Sequence, residues 1–564
     1  MTSDQRLDSA LPPWVALYDP GLPADIVLEH DDALSIFRTC VAELGDRPLA
    51  HYFDVSLSAR TIDDISDAIA CAFLSSGLRE GDRIALYMQN VPQYLIALVA
   101  SWKIGGVAVG CNPMLRDREL NKLLRDSGAR ACISLEALHD SIVRSAIADT
   151  SVKICLTTSE LDFRPEHELA NHPSRSAPPS REDATDLLEL AARHAGEQPP
   201  LLRTAGDAVA VLTYTSGTTG PSKGAMNTHR CLAFSAQTIR DWTHTAPDDV
   251  VLGAAPLFHV TGLVAGIGLA LSGRIPLVLS GRFKAAETAR LIERYRATTS
   301  VAALTAYLAL SNDELARTYD LSSLTKALSG GAPVPAAAVA DIRARTGLVI
   351  RNAYGLTETT GGTHSTPLGR EGPVDPETGA LSVGLPMFGT DARIVDDEGN
   401  ELPAGAIGEI AIRGPQVVPG YWSNPEETAA ALSAGEFRTG DMGKIDNEGW
   451  LYVVDRRKDL IIASGYKVWP REVEDVLYEH SAVREAAVVG VPDGYRGETI
   501  HAYVSFKPGA VAETAELIEF CRRRLAAYKC PREIAVLHDL PKTATGKILR
   551  RELRQPQSPA DGAT

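Results

Sequence analysis

From Thr61 onward the chain alternates short apolar runs with longer helical stretches, a rhythm that few architectures absorb. A helix starting at Thr61 leads to the run Arg83-Ile84-Ala85-Leu86-Tyr87-Met88. A second helix, from Gln93 to Ile104, is ended by Gly105-Gly106, and Val107-Ala108-Val109 follows. Residues 131–134 and 153–156 continue the pattern, and a further block extends from Val250 to about Thr360. Strands alternating with helices predict a parallel α/β sheet. Past Thr360 the texture changes. Ala392-Arg393-Ile394-Val395, residues 408–412 and residues 450–454 are short strands between Gly, Asp and Pro turns, which predicts a small β-rich subdomain. The charged run Asp455-Arg456-Arg457-Lys458-Asp459 precedes a last unit of strands (486–490, 502–506) and helices (472–479, 515–526), read as compact α+β.

The expected organisation is therefore a large N-terminal α/β domain with a β-rich subdomain over 1–454, a hinge at 455–459, and a small mobile α+β domain over 460–554. The polar tail 555–564 reads as disordered. Residues 1–50 are mixed, with Pro12-Pro13 arguing against regular structure at the start. Residues 170–200, rich in Pro, Ser, Glu and Arg, read as a solvated loop.

The most specific segment follows the apolar run Ala208-Val209-Ala210-Val211-Leu212: Tyr214-Thr215-Ser216-Gly217-Thr218-Thr219-Gly220-Pro221-Ser222-Lys223-Gly224. Glycines let backbone N–H groups turn inward, hydroxyls donate hydrogen bonds, and lysine adds a point charge, so the loop suits phosphate. It is not the P-loop of nucleotide triphosphatases, which needs Gly-Lys-Ser/Thr, whereas Lys223 follows Ser222 and precedes Gly224. A flexible surface loop would carry the same residue types.

With 564 residues, the chain exceeds one hydrophobic core. Its net charge of -16 opposes general binding to nucleic acid or anionic membrane. Eight scattered cysteines without a C-x-x-C pair suggest neither a disulfide framework nor a zinc site, but a reducing, cytoplasmic setting. The polar start Met1-Thr2-Ser3 lacks the form of a signal peptide. The longest apolar stretch, 260–271, is shorter than the ~20 residues that span a bilayer and predicts a buried helix.

Five further segments stand in a recognisable order: Pro256-Leu257-Phe258-His259, Ser329-Gly330-Gly331-Ala332-Pro333, Tyr354-Gly355-Leu356-Thr357-Glu358, Arg438-Thr439-Gly440-Asp441 and Pro541-Lys542-Thr543-Ala544-Thr545-Gly546-Lys547. With the Gly-rich loop they resemble the adenylate-forming superfamily of acyl-CoA synthetases, peptide-synthetase adenylation domains and luciferases. The resemblance implies that a carboxylate joins ATP to give acyl-AMP and pyrophosphate, and that a thiol then takes the acyl group. ATP, Mg²⁺ and coenzyme A are the implied cofactors and co-substrates, with a small carboxylic acid as partner and a monomer or homodimer as the working form.

Carried onto this chain, the resemblance implies that Thr215, Ser216, Gly217, Thr218, Thr219, Gly220 and Lys223 hold the β- and γ-phosphates. Ser222 stands where many members have proline. Tyr354 would stack on adenine, with Gly331, Ala332, Pro333 and Gly355 lining the base. Thr357 would contact the α-phosphate, and Glu358 would hold Mg²⁺. Asp441 would accept from the ribose hydroxyls, assisted by Arg456. Lys547 would bridge carboxylate and α-phosphate during adenylation. Rotation about Lys458 would then withdraw Lys547 and bring Ser464, Gly465, Tyr466 and Lys467 to the pantetheine arm. His259 would gate or orient the acid, or pack as a core histidine. The implied acyl slot is lined by Val260, Thr261, Gly262, Leu263, Val264, Gly330, Thr359, Gly361 and Gly362, small or apolar residues that suit a medium- or long-chain or bulky acid. Leu263 departs from the bulky aromatic gate of some long-chain members. A chain running only one half-reaction, with a carrier protein or a ready-made adenylate, is the alternative.

Overall fold

The computed structural model describes residues 11–164, 182–215, 222–433, 435–463, 466–493, 497–543 and 545–554. Among these, the strands form four sheets. The first runs in the order Thr185–Asp186, Ile154–Thr158, Ala131–Leu135, Arg83–Tyr87, Val107–Gly110, Val209–Tyr214, Gly224–Thr228. It is parallel except for its last pair. Val107–Gly110 and Ala131–Leu135 are buried at every position, which is why they read as continuous apolar runs without alternation. Helix Pro92–Lys103 is also buried throughout. Its one charge, Lys103, is neutralised inside the fold by Asp63 at 2.6 Å and Asp67 at 2.5 Å, with Ser66 Oγ at 2.9 Å.

The second sheet has nine strands and carries the site. Thr299–Ala302, Lys326–Ser329 and Ile350–Leu356 lie side by side in parallel, and Gly361–Ser365 folds back antiparallel on the last. The β-rich subdomain expected past Thr360 is an antiparallel sheet of Asp391–Val395, Gly408–Arg413, Glu436–Ile445, Leu432–Ser433 and Leu451–Arg456. The C-terminal α+β unit is built on the long hairpin Val483–Asp493 and Gly497–Phe506, with helices Pro470–Tyr478 and Thr514–Arg522 packed on it.

Three expectations need correction. The stretch read as a loop over 170–200 contains helix Leu187–Arg193. Asp186 caps it, its Oδ1 accepting the N–H of Leu188 (2.9 Å) and Glu189 (2.8 Å), and Leu187 is fully buried. The mixed opening contains helix Ala33–Leu44, capped by Asp32 and burying Leu34, Phe37 and Cys40, while the proline pair only starts the short 3₁₀ turn Pro13–Leu17. The buried helix expected over 260–271 is present, but its middle, Leu263–Gly268, is wound as a π-helix. The tail 555–564 lies outside the described residues. No described helix is long and apolar enough to cross a membrane.

Candidate active site

The site forms where parallel strands of the nine-stranded sheet end, the usual place for ligands in α/β folds. Strand Lys326–Ser329 runs into Gly330-Gly331-Ala332-Pro333, and its neighbour Ile350–Leu356 carries Tyr354. Tyr354 Oη donates to Asp441 Oδ2 at 2.7 Å. Asp441 lies in Glu436–Ile445, opposite Arg456 in the hairpin register, and Arg456 Nε sits 3.3 Å from its Oδ1. Burial pushes the Asp441 carboxyl above the ordinary carboxylate range, and the Arg456 charge opposes this. Burial and the same carboxylate push the Tyr354 phenol well up, so it stays a neutral donor.

Lys547 reaches this corner from the far end of the chain. A tight turn presents it: Thr543 N–H donates to Lys547 O (2.7 Å), and Lys547 N–H donates to Thr543 Oγ1 (3.0 Å). Gly331 has φ +81, and a Cβ there would lie 3.1 Å from Lys547 Cε, so the lysine passes where only glycine leaves room. Burial, with help from the Arg456 charge, lowers the Lys547 ammonium to about 8 against the upward pull of Asp441 and Glu358. His259 is pushed down to about 3 by burial and by the Lys547 charge. Its Nδ1 accepts from the Thr261 N–H (3.3 Å), which puts the proton of the neutral ring on Nε2. His259 is therefore a neutral hydrogen-bond donor beside the lysine.

Thr357 and Glu358 occupy the 3₁₀ turn after strand Ile350–Leu356. Asn227 Nδ2 holds that turn by donating to Thr357 O (3.2 Å) and Thr360 Oγ1 (3.0 Å). Tyr421 Oη donates to Glu358 Oε1 at 2.7 Å. Lys223 pairs with Glu427 and lies 5.2 Å from the centre of the Tyr421 ring. Thr215 and Lys223 are stitched together, Thr215 N–H to Lys223 O (2.9 Å) and Lys223 N–H to Thr215 Oγ1 (3.2 Å). The two ends of the Gly-rich loop thus meet near Tyr421, whose hydroxyl reaches Glu358. Ser216, Gly217, Thr218, Thr219 and Gly220 lie outside the described residues. No cluster of three or more His, Cys, Asp or Glu able to hold a metal occurs among the described residues. Glu358, half-buried and engaged by Tyr421, offers the kind of carboxylate oxygen that would suit a Mg²⁺ ion.

Along the segment after His259, Val260, Leu263 and Val264 are buried, and Val264 Cγ1 lies 3.6 Å from where a Cβ on Gly361 would stand. Gly262, Gly330 and Gly355 do a different job. A Cβ on each would overlap backbone, at Pro256, Ala353 and Gly361 respectively, so they let main chains pack together. An apolar cavity lies against the π-helical run, with Leu263, Val264 and Ile267 on one wall and Ile36, Trp102 and Leu232 among the residues facing them.

The structure brings together Lys547, Gly331, Tyr354, Asp441, Arg456, Glu358 and His259. It leaves Tyr466 and Lys467 exposed, with Tyr466 stacked on Tyr528 at 4.5 Å between ring centres. Ser464 and Gly465 lie outside the described residues. Lys458 sits in the 3₁₀ turn Arg457–Asp459, and burial lowers its ammonium. Sequence reasoning missed Tyr421, Asn227 and Glu427. Each acts through a contact distant in sequence, and only the Gly420-Tyr421-Trp422 turn could have drawn the eye.

A model of the AMP-binding enzyme family matches residues 37–422, and one of the AMP-binding enzyme C-terminal domain matches residues 472–547. The chain is 36% identical over 569 residues to a long-chain-fatty-acid–CoA ligase of Bacillus subtilis, covering 97% of this chain and 98% of that one. It is 36% identical over 492 residues to a feruloyl-CoA synthase of an Amycolatopsis species, covering 86% and 91%. Among solved structures, ATP-bound MatB from Rhodopseudomonas palustris superposes with a TM-score of 0.79 at 29% identity, covering 92% of this chain and 98% of that one.

Proposed function

The chain belongs to the AMP-binding enzyme family of AMP-forming acid–CoA ligases, and from that premise we propose that it converts a hydrophobic carboxylic acid, medium- or long-chain or bulky, to its acyl-CoA through an acyl-adenylate. In the first step a carboxylate oxygen attacks the α-phosphorus of ATP, and the bond to the bridging oxygen breaks to release pyrophosphate. In the second, the CoA thiol sulfur attacks the acyl carbonyl, AMP leaves, and the thiol proton goes to solvent.

The observation that supports this reading most is the meeting of the Lys547 ammonium with Asp441, Glu358 and Gly331. Two anions must approach, and one placed cation lowers the repulsion between them. Asp441 and Arg456 hold the ribose, Tyr354 and the Gly331 turn take the base, Thr357 contacts the α-phosphate, and Lys223 with Thr215 grips the departing phosphates. Glu358 would hold Mg²⁺, which neutralises phosphate charge when bound. Neutral His259 donates from Nε2 to the acid. Lys458 acts as a pivot, after which Tyr466 and Lys467 meet the pantetheine arm.

Apolar Val260, Leu263 and Val264 favour a hydrophobic acyl group, and the named substrates of the two sequence relatives are hydrophobic acids. The test is pyrophosphate release across carboxylic acids with and without CoA, with acyl-CoA identified by mass. Fatty or aromatic acids giving CoA-dependent product support the reading. Pyrophosphate without any thioester indicates a single half-reaction, and charged or small acids alone as substrates overturn the substrate class.

A further inference from the structure

Three residues beyond Lys547, Arg550 buries its guanidinium among carboxylates of two different parts of the chain. Its Nε and Nη2 donate to Glu474 Oε1 (3.1 Å) and Oε2 (2.7 Å), a bidentate pair inside the C-terminal unit, on helix Pro470–Tyr478. Its Nη1 donates to Asp455 Oδ1 at 2.9 Å and to Asp459 Oδ2 at 3.3 Å. Asp455 belongs to strand Leu451–Arg456 of the β-rich subdomain, and the pair therefore crosses between units. The other Asp455 oxygen accepts the backbone N–H of Arg471 at 3.0 Å, in the first turn of helix Pro470–Tyr478. Arg456, next in the chain, reaches Asp441 in the site.

We propose that Asp455 is a latch: by holding Arg550 and the start of helix Pro470–Tyr478, it fixes the C-terminal unit in the one arrangement that presents Lys547, so that Asp455 and Arg550 are positioning residues for adenylation and not for thioester formation. This rests on the two-step reading above. The Arg550–Glu474 pair lies within one unit and travels with it. The Asp455 contacts cross between units and cannot survive a rotation about Lys458. Removing them weakens only the arrangement that contains them, and Lys547 then visits the site less often.

Asp455→Asn tests this, because it keeps the size, removes the charge, turns one of the two accepting oxygens into an NH2 donor, and leaves the Arg550–Glu474 pair intact. Carboxylate-dependent ATP–pyrophosphate exchange is expected to fall at least tenfold, about 1.4 kcal/mol. CoA acylation from synthetic acyl-AMP should stay within twofold of the parent or rise. A fall of equal size in both half-reactions, or in neither, overturns the latch. Arg550→Lys, which keeps the charge but loses the fork, should lie between parent and Asp455→Asn in exchange. A second measurement does not need turnover: the distance between spin labels on V374C and V511C, both exposed sites. The latch predicts a narrow distribution for the parent and a broadened one for Asp455→Asn, and identical distributions refute it. Should the parent show neither half-reaction with any acid, the functional reading falls while the distance measurement still decides the latch.

Discussion

Replacing Lys547 by methionine keeps a flexible side chain of similar length and deletes the charge. In the site, burial and Arg456 hold the ammonium at about 8, against an ordinary value of 10.5. That depression corresponds to about 3 kcal/mol by which the surrounding protein disfavours the charged lysine. The incoming carboxylate and phosphate supply the missing countercharge, so the attraction is realised only as the reacting anions come together. Deleting one such preorganised group typically costs about 10²–10³ in rate. Lys547→Met should therefore lower carboxylate-dependent pyrophosphate exchange by roughly that factor, while CoA acylation from synthetic acyl-AMP changes less than threefold. The sign of the pH effect follows from the downward shift: the proton needed for catalysis is lost as pH rises through about 8, earlier than for a free lysine. The kcat/KM profile for exchange, which reports the free enzyme, should fall above that pH with a one-proton slope. The limb should be absent from the residual activity of Lys547→Met. A wild-type profile flat to pH ~10, or the same limb in the variant, refutes the reasoning.

Two other substitutions probe the same corner. Gly331→Ala combines a left-handed backbone at φ +81 with a Cβ 3.1 Å from Lys547 Cε; we expect exchange to drop about tenfold, a strain of ~1–2 kcal/mol, with thioesterification from acyl-AMP less affected. Asp441→Asn removes a buried charge that accepts from Tyr354 and faces Arg456, and should raise the KM for ATP about 10- to 100-fold in exchange assays, at ~1.5–3 kcal/mol for a charged hydrogen bond.

Much of the architecture was legible because local chemistry determines it. Parallel strands buried on both faces announce themselves as unbroken apolar runs, as at 107–109 and 131–134. The motif residues were legible because each set is contiguous. What could not be read were the joins. Tyr421 meets Glu358 across 63 residues, Arg550 meets Asp455 across 95, and Asn227 meets Thr357 across 130. Apart from the turn around Tyr421, nothing in the neighbourhoods of Asn227 and Arg550 points to the partner each one meets. Helix Leu187–Arg193 was hidden for a different reason: its polar surroundings outweighed a single capping aspartate and two buried positions, Leu187 and Ala191. The π-helical winding of Leu263–Gly268 escaped because a wholly apolar run has no periodicity from which to read the turn.

That winding has a hereditary consequence. A π turn accommodates one residue more than an α turn, and such turns cluster at functional sites. Loss of one codon between 263 and 268 would return the segment to ordinary pitch; because the wider turn is what absorbs the extra residue, the flanks would keep their bearings while the side chains within the turn change face. Val264 would leave its place beside Gly361, and a different side chain would face the acyl slot proposed there. Substrate preference here is thus open to change by a single insertion or deletion, with Leu269–Gly273 left in its seat. A variant lacking Ala265 should unfold near the parental temperature while reordering its preference among acids of different width, and an unchanged preference order would count against the idea.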